Sequence, residues 1–188
     1  MKTSKIFFVL FVFLGLLLVS CSDEQQSPVA PIDQGSLEKV TIINFTALSY
    51  PTAVLDPGEV RISGGNVIGR NVIAAIRWDS ENDSVNASGI LTLNYNLDSV
   101  TGEGPWWGTL TLTPDDPVIG GEWDLTYNGR ATQTGPTEWT LPINMVGHGS
   151  GGSIDKMHLD VTNTVIYNEP FPSFFLGYIV GEMKSTGN

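Results

Sequence analysis

Cysteine is almost absent from this chain: Cys21 is the only one. A single thiol closes no disulfide within the chain and leaves none for a nucleophile or a zinc cage elsewhere. Histidine is nearly as scarce, with His148 and His158 alone, so a catalytic triad or a histidine-rich centre has few candidates. Basic side chains number nine against twenty acidic ones. That balance repels nucleic acid and anionic headgroups and argues against phosphate-backbone binding. Also missing is any Ala/Leu/Glu/Lys-rich amphipathic stretch of helical length. No cofactor-binding motif stands out. The glycine-rich run at 147–152 (GHGSGG) precedes a strand-like segment, whereas phosphate-cradling loops open a helix. It reads as a flexible turn.

Long apolar character is confined to one end. Lys2 and Lys5 precede a nearly unbroken apolar run at 6–18. As a helix that run rises roughly 20 Å, short of the roughly 30 Å hydrocarbon core, so it reads as an export leader. It ends in Leu18-Val19-Ser20-Cys21, which resembles the lipobox of bacterial lipoproteins. The resemblance implies cleavage before Cys21, diacylglycerylation of its sulfur and acylation of the new amino group with a chain such as palmitate. Several acyl chains on one residue would anchor it firmly, since each buried CH₂ contributes about 0.8 kcal/mol. Ser22 after the cysteine is similar to lipoproteins sent to the outer membrane. The acidic pair Asp23-Glu24 is similar to a surface-export signal used by one group of Gram-negative bacteria. The expected location is the bacterial outer membrane, lipid-anchored, facing either the periplasm or the surface.

Three segments follow: a leader at 1–20, the lipidated cysteine with a tether at 21–37, and one domain at 38–188. The tether holds Pro28, Pro31 and Gly35 without apolar periodicity; at 3.3–3.6 Å per residue it would reach roughly 50 Å. Removing Lys2 and Lys5 leaves seven basic side chains against twenty acidic ones, a formal −13 for the exported part.

The domain reads as all-β. Between residues 104 and 145, three variants of one theme follow one another, GPWWGTLTLT, GGEWDLTYNG and GPTEWTLPIN. Each couples a glycine turn, a tryptophan and a β-rich run, at the spacing of a meander. Trp123 falls in phase with Leu125 and Tyr127, and Trp139 with Leu141 and Ile143. In the first variant Trp106 shares the phase of Leu110 and Leu112, while Trp107 shares that of Thr109 and Thr111. Because successive side chains face opposite ways, Trp106, Trp123 and Trp139 are expected in the core and Trp107 outside it. Further strands are expected at 39–49, 59–63, 67–78, 87–97, 154–165 and 174–184. Eight or nine strands with short turns predict an antiparallel, largely up-and-down β-barrel, with a two-sheet sandwich as the alternative. The strand pattern resembles lipocalin-type or allene oxide cyclase/dirigent-type barrels, which implies an architecture and no functional residue.

Candidate chemistry is sparse. Asp79, Glu81 and Asp83 alternate as oxygen ligands do in calcium loops, but the glycine and distal glutamate of an EF-hand are missing. His158 and Asp160 lie two apart on one strand face, with Lys156 expected beside them. Trp107, with Thr109 and Thr111 on the same strand face, forms the candidate ligand-binding set, because aromatic faces stack on the apolar faces of sugars. No catalytic set is identified. The functional expectations are an envelope or protein–protein interaction role, a glycan- or small-apolar-ligand-binding module, or an enzyme of unassigned type.

Overall fold

The computed structural model describes residues 40–168 and 175–186. The leader, Cys21, the tether and the proline-bearing stretch 169–174 lie outside the described residues. Nine strands form: β1 (Val40–Asp56), β2 (Glu59–Ser63), β3 (Asn66–Asp79), β4 (Ala87–Asp98), β5 (Gly104–Pro114), β6 (Glu122–Gly135), β7 (Glu138–Ser150), β8 (His158–Tyr167) and β9 (Leu176–Thr186). Among the described residues the only helical element is a 3₁₀ turn at Gly152–Ile154.

All neighbours are antiparallel, and the sheet closes because β1 pairs with β9 over its first half and with β3 over its second. The result is an eight-stranded barrel with one extra strand. Strand β2 continues along β3 where β1 leaves off. The break between them is Asp56-Pro57-Gly58, where the Gly58 amide donates to Asp56 Oδ1 at 2.8 Å. Gly58 has φ +64°, and a Cβ there would collide with the β3 backbone at Arg70–Val72. Opposite it β3 carries a bulge at Arg70–Asn71, with Asn71 at φ 54°.

Closure rests on how the interior is filled. An eight-stranded barrel is just wide enough for side chains to meet across it, so large residues need small partners. Five inward aromatics each face a glycine on a neighbouring strand: Phe45–Gly181, Tyr95–Gly69, Trp106–Gly129, Tyr127–Gly108 and Trp123–Gly149. Two polar contacts use the same clearance. Tyr127 Oη passes β5 at Gly108 to donate to the Thr92 carbonyl of β4 at 3.0 Å. Asn163 Nδ2 donates to Ser49 Oγ at 2.9 Å past Gly177, joining β8 to β1 across β9. Burial pushes the Tyr127 phenol well above its ordinary range and that of Tyr167 up to about 12.

Trp106, Trp123 and Trp139 are buried in one continuous core, while Trp107 is 36% exposed on the outer face. Two of the buried three also pin loops. Trp123 Nε1 donates to the Ser84 carbonyl at 2.8 Å, and Trp139 Nε1 to the Thr101 carbonyl at 2.7 Å. The loop after β3 and the loop after β4 are thereby tied to the core.

The glycine-rich run corrects the expectation of a turn at 147–152. Strand β7 continues through Gly147, His148, Gly149 and Ser150, and the connection follows it. The physical reason is packing: Gly147 and Gly149 face inward opposite Leu125 and Trp123, where a Cβ would meet backbone atoms. These glycines serve as the small half of large–small pairs. Lys156 accordingly falls in the connection, at φ 61°, and not on the β8 face with His158 and Asp160.

Candidate functional site

Outside the barrel, strands β5 to β8 present a trough of about 500 Å³. Its polar outward lining comes from Thr109 and Thr111 on β5, Asp124 and Thr126 on β6, His148 on β7 and His158 on β8. Strand alternation delivers all of these: each follows an inward core residue, so an apolar interior and a polar exterior arise from one pattern. Neighbouring strands then align the side chains in a row. Thr111 lies opposite Asp124, Asp124 opposite His148, His148 opposite His158, and His158 opposite Lys184 of β9. Thr111 Oγ1 donates to Asp124 Oδ1 at 3.3 Å. The two imidazoles meet with ring centroids 4.9 Å apart and planes tilted by 52°. Lys184 turns to Glu182 at 3.2 Å and Asp160 at 4.0 Å.

Of the ligand-binding set expected from sequence, Thr109 and Thr111 line the trough, and Trp107 stands on the same face of the same strand. The Arg70 guanidinium lies 4.9 Å from the Trp107 ring centroid and is held by bonds to the Gly69 and Tyr95 carbonyls at 2.7 and 2.8 Å. A cation fixed over an aromatic ring lowers the indole's freedom before any ligand arrives.

The acidic loop residues are not gathered. Asp79 accepts from Tyr50 Oη at 2.7 Å and from Arg77 Nε at 2.7 Å, bonds that hold its carboxyl below the usual range, and its own carboxylate raises the Tyr50 phenol. Arg77 also pairs with Asp115, the contact that raises its own pKa most. Asp79 therefore serves a cross-strand ion cluster, while Glu81 and Asp83 are exposed in the following loop. Among the described residues no three His, Cys, Asp or Glu side chains converge on one metal position. His158 meets the His148 ring across the sheet, whereas Asp160, two residues along its own strand, lies 4.0 Å from the Lys184 ammonium.

A second hollow, of about 230 Å³, opens at the barrel end that carries the β4–β5 connection, with Tyr95, Trp139 and Tyr167 in its lining beside Val67, Leu97 and Val100. Trp139 and Tyr167 stack at 5.7 Å with planes within 10°. Tyr167 Oη is buried and has no hydrogen-bond partner among the described residues. The hydrophobic core of the barrel draws buried side chains from all eight of its strands.

Sequence reasoning missed Asp124, Thr126 and the facing histidines. Their signal was present: once the turn is placed after Ser150, counting outward along both strands puts His148 against His158. No family model, curated protein or solved structure matches the chain.

Proposed function

We propose that the chain is a lipid-anchored binding domain of the bacterial outer membrane, and that its β5–β8 outer face takes a polar, ring-bearing ligand of the glycan class. The observation that carries the reading is the trough itself. Hydroxyls of Thr109, Thr111 and Thr126, the Asp124 carboxylate and two imidazoles share one concavity of about 500 Å³, and Trp107 stands on the same sheet face. Sugars offer hydroxyls to the first group and apolar ring faces to the second. A catalytic role has weaker support, because no hydroxyl is hydrogen-bonded to either histidine among the described residues and a nucleophile needs an oriented base. The anchor rests on Leu18-Val19-Ser20-Cys21 and its likeness to a lipobox.

Two experiments test the two halves. Cys21→Ser should move the protein from the membrane to the soluble fraction and abolish labelling by a palmitate analogue; membrane retention with labelling intact would end the anchor reading. Tryptophan emission titrated with a glycan panel tests the face. Trp107→Ala should weaken the binding of any quenching ligand by tenfold or more, the order expected for a central aromatic contact. Its unfolding midpoint should barely change, as for other exposed substitutions. Quenching that survives Trp107→Ala would transfer the ligand to the mouth beside Trp139. An emission spectrum that no glycan perturbs would remove the binding reading from this face.

A further inference from the structure

We infer that His148 and His158 form a two-histidine site for a transition-metal ion of the Zn²⁺, Ni²⁺ or Cu²⁺ class on the outer face of β7 and β8. The inference is independent of the glycan reading, since it needs no organic ligand. The two residues are direct cross-strand partners next to the 151–157 connection, so a hydrogen-bonded ladder fixes their separation. Both project to the outer face, because their sequence neighbours Gly147, Gly149 and Leu159 are inward and buried.

The ring geometry fits chelation. A zinc–nitrogen bond of about 2.0–2.1 Å places each ring centroid roughly 3 Å from the metal, so two imidazoles at a tetrahedral angle stand about 5 Å apart. The observed centroid separation is 4.9 Å, and the 52° tilt leaves the rings unstacked. Neither imidazole is hydrogen-bonded to another side chain among the described residues, so ring nitrogens are not already committed to one.

The surrounding charges favour a cation. Asp124 lies opposite His148 on β6, and its carboxylate is held by Thr111. On the other side Lys184 faces His158 but is paired with Glu182 and Asp160. By register Asp124, Asp160 and Glu182 flank the pair, against Lys184 on β9 and Lys156 in the adjacent connection. Because no third ligand already converges on the same point, the site is an open one: two protein nitrogens, with the remaining positions left to water or an incoming donor. Two imidazoles without an oxygen cage select nitrogen-preferring metals over Ca²⁺ and Mg²⁺.

The test uses the full chain in detergent, without a polyhistidine tag, titrated calorimetrically with ZnCl₂ and with MgCl₂ as control. Saturable binding of one Zn²⁺ per chain is expected, with no Mg²⁺ binding. His148→Gln and His158→Gln should each weaken Zn²⁺ binding at least tenfold while leaving the metal-free unfolding midpoint unchanged, which separates ligand loss from misfolding. With Cu²⁺, electron paramagnetic resonance should report two coordinated nitrogens, and one in each variant. Absence of saturable Zn²⁺ binding, or equal binding by wild type and both variants, would overturn the site. So would a loss in Asp124→Asn as large as that in either histidine variant, because the two-ligand count would then be wrong.

Discussion

Replacing Trp123 with alanine is expected to lower the free energy of unfolding by about 3–5 kcal/mol, the range for deleting a large aromatic from a close-packed core. Trp123 is fully buried, at 0% exposure, between Leu112 of β5 and Gly149 of β7, and on the Gly149 side there is no side chain to expand into the gap. The lost indole also frees the Ser84 carbonyl that anchors the loop after β3. Net stabilities of single domains run about 5–15 kcal/mol, so this one change removes about a fifth of such a margin or more. Urea denaturation followed by far-ultraviolet circular dichroism measures it. Trp123→Phe separates the contributions, retaining most of the ring volume and forfeiting the hydrogen bond at about 1 kcal/mol. A loss below about 1 kcal/mol for the alanine variant would contradict the packing described above.

The second large effect comes from adding atoms. Gly108→Val should destabilise by about 2–4 kcal/mol, combining overpacking strain with loss of one buried hydrogen bond. A side chain at Gly108 would enter the space of the Thr92 carbonyl and the Tyr127 hydroxyl, the two groups bonded at 3.0 Å past that glycine. Tyr127→Ala is itself costly, yet it empties part of the space that valine needs. The double variant should therefore lose at least 1 kcal/mol less than the sum of the single losses, the kind of coupling seen between residues in contact. Strict additivity in urea melts would mean that Tyr127 and Gly108 do not share a volume.

These two residues also show what the sequence could disclose. The phase of Trp123 with Leu125 and Tyr127 marked the inward face of β6, and the misfit of Trp107 with Leu110 and Leu112 marked it as outward; both follow from alternation alone. The closed barrel was legible for the same reason, from many short alternating runs without a helix. GHGSGG was not legible, because glycine is both the commonest turn residue and the smallest core residue. Only the partner strand distinguishes the two, and that partner, Trp123, lies more than twenty residues away. The error carried outward: with β7 ended too soon, His148 seemed to sit in a loop and its alignment with His158 and Asp124 could not be seen. Likewise, the alternation of Asp79, Glu81 and Asp83 is legible in sequence, but the cross-strand contacts by which Tyr50 and Arg77 occupy Asp79 are not.

The facing of aromatics by glycines bears on how the chain selects one barrel among several near-equivalents. Slipping a strand by one residue is prevented by hydrophobicity, since it would turn the core face to water. Slipping by two keeps every apolar residue inside and is invisible to that pattern. It is not invisible to size. A two-residue shift of β6 on β5 would set Tyr127 against Trp106 or Leu110 in place of Gly108, crowding one level of the barrel and emptying another. Alternating bulk thus acts as a toothed edge, with each notch admitting one tooth. Such a code penalises mispairing of neighbouring strands by two residues, the one slip that the apolar pattern tolerates. It also predicts that tolerated changes at these positions come in pairs, a smaller aromatic on one strand with a larger residue on the next.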